Sequence, residues 1–100
     1  MSAELVRAGV DASRRLCVLR LLDDYSGSLN SSVIETSLRA YAFVVDRDLV
    51  LDDLRWLEAR RLVTSEALKR TLLVVKLSSR GERAARGDER VAGVARPAAD

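Results

Sequence analysis

The sequence predicts a mainly α domain of the α+β class: three helices, then a two-stranded β-hairpin, then a short C-terminal helix. Two observations carry this reading. Apolar residues recur at three-to-four spacing up to about Arg61, the period of helices that bury one side. Beyond Arg61 the chain turns to runs of Leu, Val and Thr split by a short basic segment, which is the composition of two strands and a turn.

The length of 100 residues and a hydrophobic share of 48% suffice for one domain with a modest core. A domain of this size has little stability to spare, so pairing with a second copy is expected. The first helix is expected over residues 3–24, with Leu16, Val18, Leu19 and Leu22 inward and Arg14, Arg15 and Arg20 toward solvent. Gly9 interrupts its early part and allows a start nearer Asp11. Tyr25-Ser26-Gly27-Ser28 supplies the turn that ends it.

Asn30 is placed to cap a second helix, with Leu29 stapled onto Ile34; Ser32 and Glu35 offer an alternative capping box. Val33, Ile34, Leu38 and Tyr41 are expected on one face, and Phe43 to Val45 form the connection. Asp46 caps the third helix, in which Val50, Leu54 and Leu57 fall within a narrow arc and form the core face. Asp48, Asp52, Arg55 and Ala59 point outward, and Leu49 and Trp56 make a second apolar stripe beside them. Leu62-Val63-Thr64 and Leu72 to Leu77 are the expected strands, with Lys69 and Arg70 between them. Ser79 and Glu82 are spaced as a capping box for a last helix through Arg86. The domain is thus expected over residues 1–87, with 88–100 a loosely held tail.

Three helices followed by a hairpin is the order of a winged helix-turn-helix domain, and local sequence resembles that fold as well. The stretch Asp53 to Val63 is similar to the exit of the third helix in such domains, and Leu77-Ser78-Ser79-Arg80-Gly81 to the exit of the wing. Over about nine-tenths of its length the chain resembles a family of small proteins of Mu-like phages and prophages, described as ArsR-type transcriptional regulators. Arg14-Arg15-Leu16 through Leu22, Leu29 to Val33, Asp53 to Val63 and Val91 to Pro97 carry the likeness. It implies a DNA-binding regulator whose third helix enters the major groove while the wing reaches the backbone. Two features depart from the pattern: the acids Asp48 and Asp52 on the outer face, and a wing segment, Glu66 to Arg70, without glycine.

Net charge is only +2, but its distribution is uneven: −2 over residues 31–60, then +2 over 61–75 and +2 over 76–100. The residues expected to meet double-stranded DNA are Arg47, Asp48, Asp52 and Arg55 on the third helix, Arg60 and Arg61 at its end, and Lys69 and Arg70 on the wing. Arginine and lysine neutralise phosphates, and aspartate can accept from cytosine. Leu49, Leu51 and Trp56 are expected as a homodimer or partner surface, the alternative for Trp56 being packing within its own chain. A protein-interaction module or a phage assembly accessory is the competing reading.

Enzymatic chemistry is not expected. Histidine is absent, and the neighbours Asp23-Asp24 and Asp52-Asp53 diverge by about 100° on a helix, as solvated residues do. Cys17 is the sole cysteine; it excludes an internal disulfide and a thiolate metal site, and its apolar neighbours mark a buried structural thiol. No cofactor and no metal are expected. No stretch approaches the ~20 apolar residues of a membrane span and no signal-peptide pattern opens the chain, so a cytoplasmic location is expected.

Overall fold

The computed structural model describes residues 2–98 and has the element order α1 (Ala3–Asp24), β1 (Ser28–Asn30), α2 (Ser31–Ala40), α3 (Arg47–Ala59), β2 (Val63–Lys69), β3 (Leu72–Leu77) and α4 (Ser79–Arg86). Among the described residues four helices thus accompany a three-stranded antiparallel sheet of order β1-β3-β2. The Ser2 hydroxyl accepts from the Leu5 N–H at 3.1 Å and opens α1, which runs straight through Gly9. An interior glycine costs a helix about 1 kcal/mol relative to alanine, too little to displace a capped start.

Val18, Leu19 and Leu22 bury one side of α1. The expectation that Arg14 and Arg15 lie in solvent is corrected: Arg14 is only 4% exposed and Arg15 is half-buried, because both reach toward Asp53 of α3. Ser26 and Gly27 take left-handed backbone angles (φ 67° and 81°) that turn the chain into β1. This strand was not expected. It pairs Ser28, Leu29 and Asn30 with Lys76, Val75 and Val74 of β3, so the hairpin belongs to a sheet.

The Asn30 carboxamide accepts from Val33 N–H at 2.9 Å and caps α2. Ile34 and Leu38 form its buried face, but Val33 and Tyr41 are exposed. Val33 lies about 100° from Ile34 on the helix, and Tyr41 follows its last turn, so neither stays on that face. Asp46 caps α3, accepting from Leu49 N–H at 2.8 Å. Val50, Leu54 and Leu57 are buried as the periodicity requires, against the same cluster as Leu19, Leu22, Ile34 and Leu38.

Strand β2 is longer than its apolar start suggests, because the polar Thr64 to Lys69 continue the ladder with β3. The register slips between Ala67 and Lys69, leaving Leu68 as a bulge, and Arg70-Thr71 closes the hairpin. Helix α4 is capped by Ser78 instead of Ser79: its hydroxyl accepts from Gly81 N–H at 3.0 Å and donates to the Arg61 carbonyl at 2.7 Å.

Residues 88–98, expected to be loosely held, are tied to the domain. Ala95 N–H donates to the Ala12 carbonyl at 3.1 Å, an Arg15 nitrogen donates to the Gly93 carbonyl at 3.1 Å, and Val91 and Val94 pack on the core. Arg80 and Arg83 both donate to Glu89 and hold its carboxyl below the ordinary range. That tie is complete near neutral pH and is lost as pH falls through the lowered value.

Candidate nucleic-acid interface

The side of α3 away from Val50, Leu54 and Leu57 carries Asp48, Asp52 and Arg55, all exposed. Arg55 meets Asp52 at 3.3 Å, one turn apart, with both side chains more than two-thirds exposed. Such a pair is worth roughly 0–1 kcal/mol, so water or another charge readily replaces it. Arg47, the first residue of α3, is exposed and lines a cleft of about 170 Å³ between three elements. Ser31, Ser32 and Glu35 of α2 form one wall, Val50 and Leu51 of α3 another, and Thr71 and Leu72 of the hairpin close it.

The cleft brings together residues distant in sequence. Ser31 holds one side rigid: its hydroxyl accepts from Leu73 N–H at 3.0 Å, fixing the start of α2 to β3. Glu35 is bonded to Arg39 one turn later, which offsets its charge. Lys69 and Arg70, both exposed, stand at the hairpin end beside Thr71. Arg47 and the hairpin residues Thr71 and Leu72 therefore line one concavity with Ser32, and Lys69 and Arg70 adjoin it in the chain without lining it. From sequence Ser32 was read only as an alternative cap of α2, and Thr71 was not singled out.

Arg60 and Arg61 do not join this group equally. The Arg60 guanidinium turns back over the Trp56 ring at 3.5 Å from its centroid and donates to the Trp56 carbonyl. Arg61 is exposed, with φ 61°, and lies at the turn from α3 into β2. The expected stripe of Leu49, Leu51 and Trp56 is also divided. Leu51 faces the cleft, whereas Trp56 is sandwiched: the Arg15 guanidinium lies over its other face at 4.0 Å and Gly93 packs against its edge. A Cβ on Gly93 would come within 2.5 Å of the indole, so only glycine lets the tail approach this closely. Each cation–π contact is worth on the order of 1 kcal/mol. Trp56 thus packs within its own chain, the alternative expected for it.

Under this stack lies a charge cluster that was read from sequence as solvated. Asp53 is 2% exposed and accepts from two nitrogens of Arg14, one at 2.9 Å, while Arg15 lies at 3.7 Å. Its hydrogen bond raises the Arg14 pKa above the ordinary arginine value, ahead of the opposing effect of burial. Asp11 completes the cluster at 3.0 Å from Arg14. The cluster anchors α3 to α1 and so sets the direction in which the outer face of α3 points.

Cys17 is half-buried instead of fully buried, on the wall of a cleft shared with Tyr41; desolvation raises its pKa. Among the described residues no group of three His, Cys, Asp or Glu side chains is placed to hold a metal ion, and no helix is long and apolar enough to cross a membrane.

Two relatives place the chain. A protein of Escherichia phage Mu, "Uncharacterized protein gp26", is 46% identical over 84 residues, which is 84% of this chain and 86% of that protein. The chain belongs to the family of the Mu protein gp26. A second relative of the gp26 family member described here, an "Uncharacterized protein" of Haemophilus influenzae, is 37% identical over 71 residues, 71% of this chain and 70% of its own length. An alignment that covers 84% of the chain leaves out 16% at most, so the similarity to gp26 extends well beyond any single element. No family model and no solved structure matches this gp26 family member.

Proposed function

We propose that this gp26 family member is a winged-helix DNA-binding protein that acts as a phage transcriptional regulator, with α3 as recognition helix and the β2–β3 hairpin as wing. The cleft is the observation that carries it: Arg47 on α3 and the hairpin residues Thr71 and Leu72 line one concave surface, next in the chain to the exposed Lys69 and Arg70. A helix and a hairpin so arranged fit the major groove and the adjoining backbone. The order α1-β1-α2-α3-β2-β3-α4 and the sheet order β1-β3-β2 support the winged-helix reading. Arg55 is free to exchange its exposed aspartate for a phosphate, and Asp48 and Asp52 are exposed carboxylates of the kind that accept from cytosine amino groups.

A salt series on a mixed-sequence duplex tests this by fluorescence anisotropy between about 50 and 200 mM salt. The paired substitution Lys69→Ala and Arg70→Ala is expected to weaken binding and to reduce the slope of log K against log salt by about 1.8, or ~0.9 for each phosphate contact. Equal affinity and an equal slope in the two proteins would remove the hairpin from the interface. Absence of binding by the unaltered chain at low salt would sink the DNA reading as a whole.

A further inference from the structure

The first half of α1 stands clear of the domain: residues 2–10 are all exposed, charged and apolar alike. At 100° per residue, Glu4, Arg7, Asp11, Arg14 and Arg15 lie on the side of Val18 and Leu22, which face the core. Leu5, Val6, Gly9 and Val10 lie on the opposite side, continuing through Ser13 to Cys17. Leu5, Val6 and Val10 are 67%, 49% and 46% exposed. At the far end of the same stripe, Leu16, Cys17 and Leu21 with Tyr41 form a cleft of about 250 Å³, rimmed by Arg20 and Asp24.

We infer that this outer face of α1 is the contact surface of a homodimer in which two copies pack antiparallel along it. The occupant is a second copy because the surface complements itself. A two-fold interface requires the same patch on both molecules, with each protrusion matched by a hollow at equal distance across the axis. Here the protrusion is Leu5 and Val6, and the hollow is the cleft at Cys17, about 16 Å along the helix. An axis passing between Asp11 and Ala12 seats Val6 of each copy beside the partner's Cys17 and Val10 beside the partner's Ser13.

Gly9 has no Cβ and nothing within 4 Å of where one would stand, so it leaves a shallow place for the approaching helix. No charge lies on the stripe between Leu5 and Cys17, and Arg20 and Asp24 stand beyond it at the rim of the cleft. Asp24 on the rim then faces the amino-terminal end of the partner's α1, where the helix dipole favours a carboxylate. One helix pair lies at the small end of specific interfaces, below about 1,200 Å², so the dimer is concentration-dependent. The inference stands apart from the DNA reading and moves the pairing surface from Leu49, Leu51 and Trp56 to α1.

Sedimentation equilibrium and cysteine cross-linking test it together. The unaltered chain is expected to pass from monomer to dimer as concentration rises, and Val10→Glu to raise the dissociation constant at least about tenfold, or 1.4 kcal/mol. Val10 is exposed, so the fold survives that change, which circular dichroism verifies. Val6→Cys is expected to give a disulfide-linked dimer with the partner's Cys17 under mild oxidation. Positions 6 and 17 of one copy are too far apart to join, since a disulfide needs Cα atoms within about 7 Å. Arg7→Cys, on the charged side, is expected to give none. A chain that stays monomeric at every concentration overturns the proposal. So does a dimer that Val10→Glu leaves intact, or cross-linking from position 7 as efficient as from position 6.

Discussion

Replacing Asp53 with alanine is expected to lower the unfolding free energy by about 3 kcal/mol, the lower end for a broken buried ion pair, because Arg14 keeps only Asp11. Arg14 is the charge in question: it is 4% exposed and Asp53 accepts from two of its nitrogens. Arg15 adds to the effect, because its Nε is buried without a hydrogen-bond partner and rests at 3.7 Å from the same carboxylate. The adjacent Asp52 is the control. Its side chain is 70% exposed, and Asp52→Ala is expected to stay within about 0.5 kcal/mol of the unaltered protein. Urea denaturation measures both. Joint replacement, Arg14→Met with Asp53→Leu, is expected to recover most of the loss, since well-packed apolar groups often match a buried ion pair. If Asp53→Ala and Asp52→Ala prove equally mild, the cluster does not hold α3 to α1.

Gly81→Ala is expected to be destabilising by about 3 kcal/mol, although alanine in place of glycine ordinarily strengthens a helix by about 1 kcal/mol. The sign reverses because of what surrounds Gly81. A Cβ there would stand 2.0 Å from the Leu62 carbonyl oxygen and 2.7 Å from Leu77 Cδ1. The first obstacle is backbone, held by the Ser78 N–H bond to the same carbonyl at 3.1 Å, so it has nowhere to move. Helix α4 would have to lift from the end of the sheet. Thermal unfolding is the measurement, with a fall of more than about 10 °C expected for a domain of this size. Gly9→Ala supplies the opposite sign: its Cβ meets nothing within 4 Å, so dilute protein is expected to gain up to about 1 kcal/mol. Similar effects at the two glycines would contradict the packing of α4 against Leu62.

What the sequence discloses about this fold is local. Asn30 and Asp46 cap their helices through bonds to residues three positions on, and side chain and partner lie within one turn. Val50, Leu54 and Leu57 share an arc that any reader of a 3.6-residue period finds. What it hides depends on distant partners. Asp53 is adjacent to an exposed aspartate and differs from it only because Arg14 arrives from 39 residues away. Strand β1 is three residues, two of them polar, and exists because Val74 to Lys76 present a free edge. The segment after Gly87 has the small, polar composition of a tail, yet Gly93 lets it close over Trp56.

The candidate interface divides along the same line. Arg47, Lys69 and Arg70 were legible as exposed basic residues, and the structure places Arg47 and the hairpin end on one cleft. Arg60 was equally basic in the sequence, but it is spent on the Trp56 ring. Ser32 and Thr71 enter the cleft only because α2 and the hairpin turn meet there. Charge count alone separates none of these cases; contact with a neighbouring aromatic or carboxylate does.

The most direct test of the central claim is an amide NMR titration with duplex DNA. If α3 and the hairpin are the reading surface, the resonances that move are those of Arg47, Leu51, Arg55, Lys69 and Arg70, while the amides of Leu5 to Val10 stay in place. Shifts confined to α1, or none at low salt, would contradict the assignment of this face to nucleic acid.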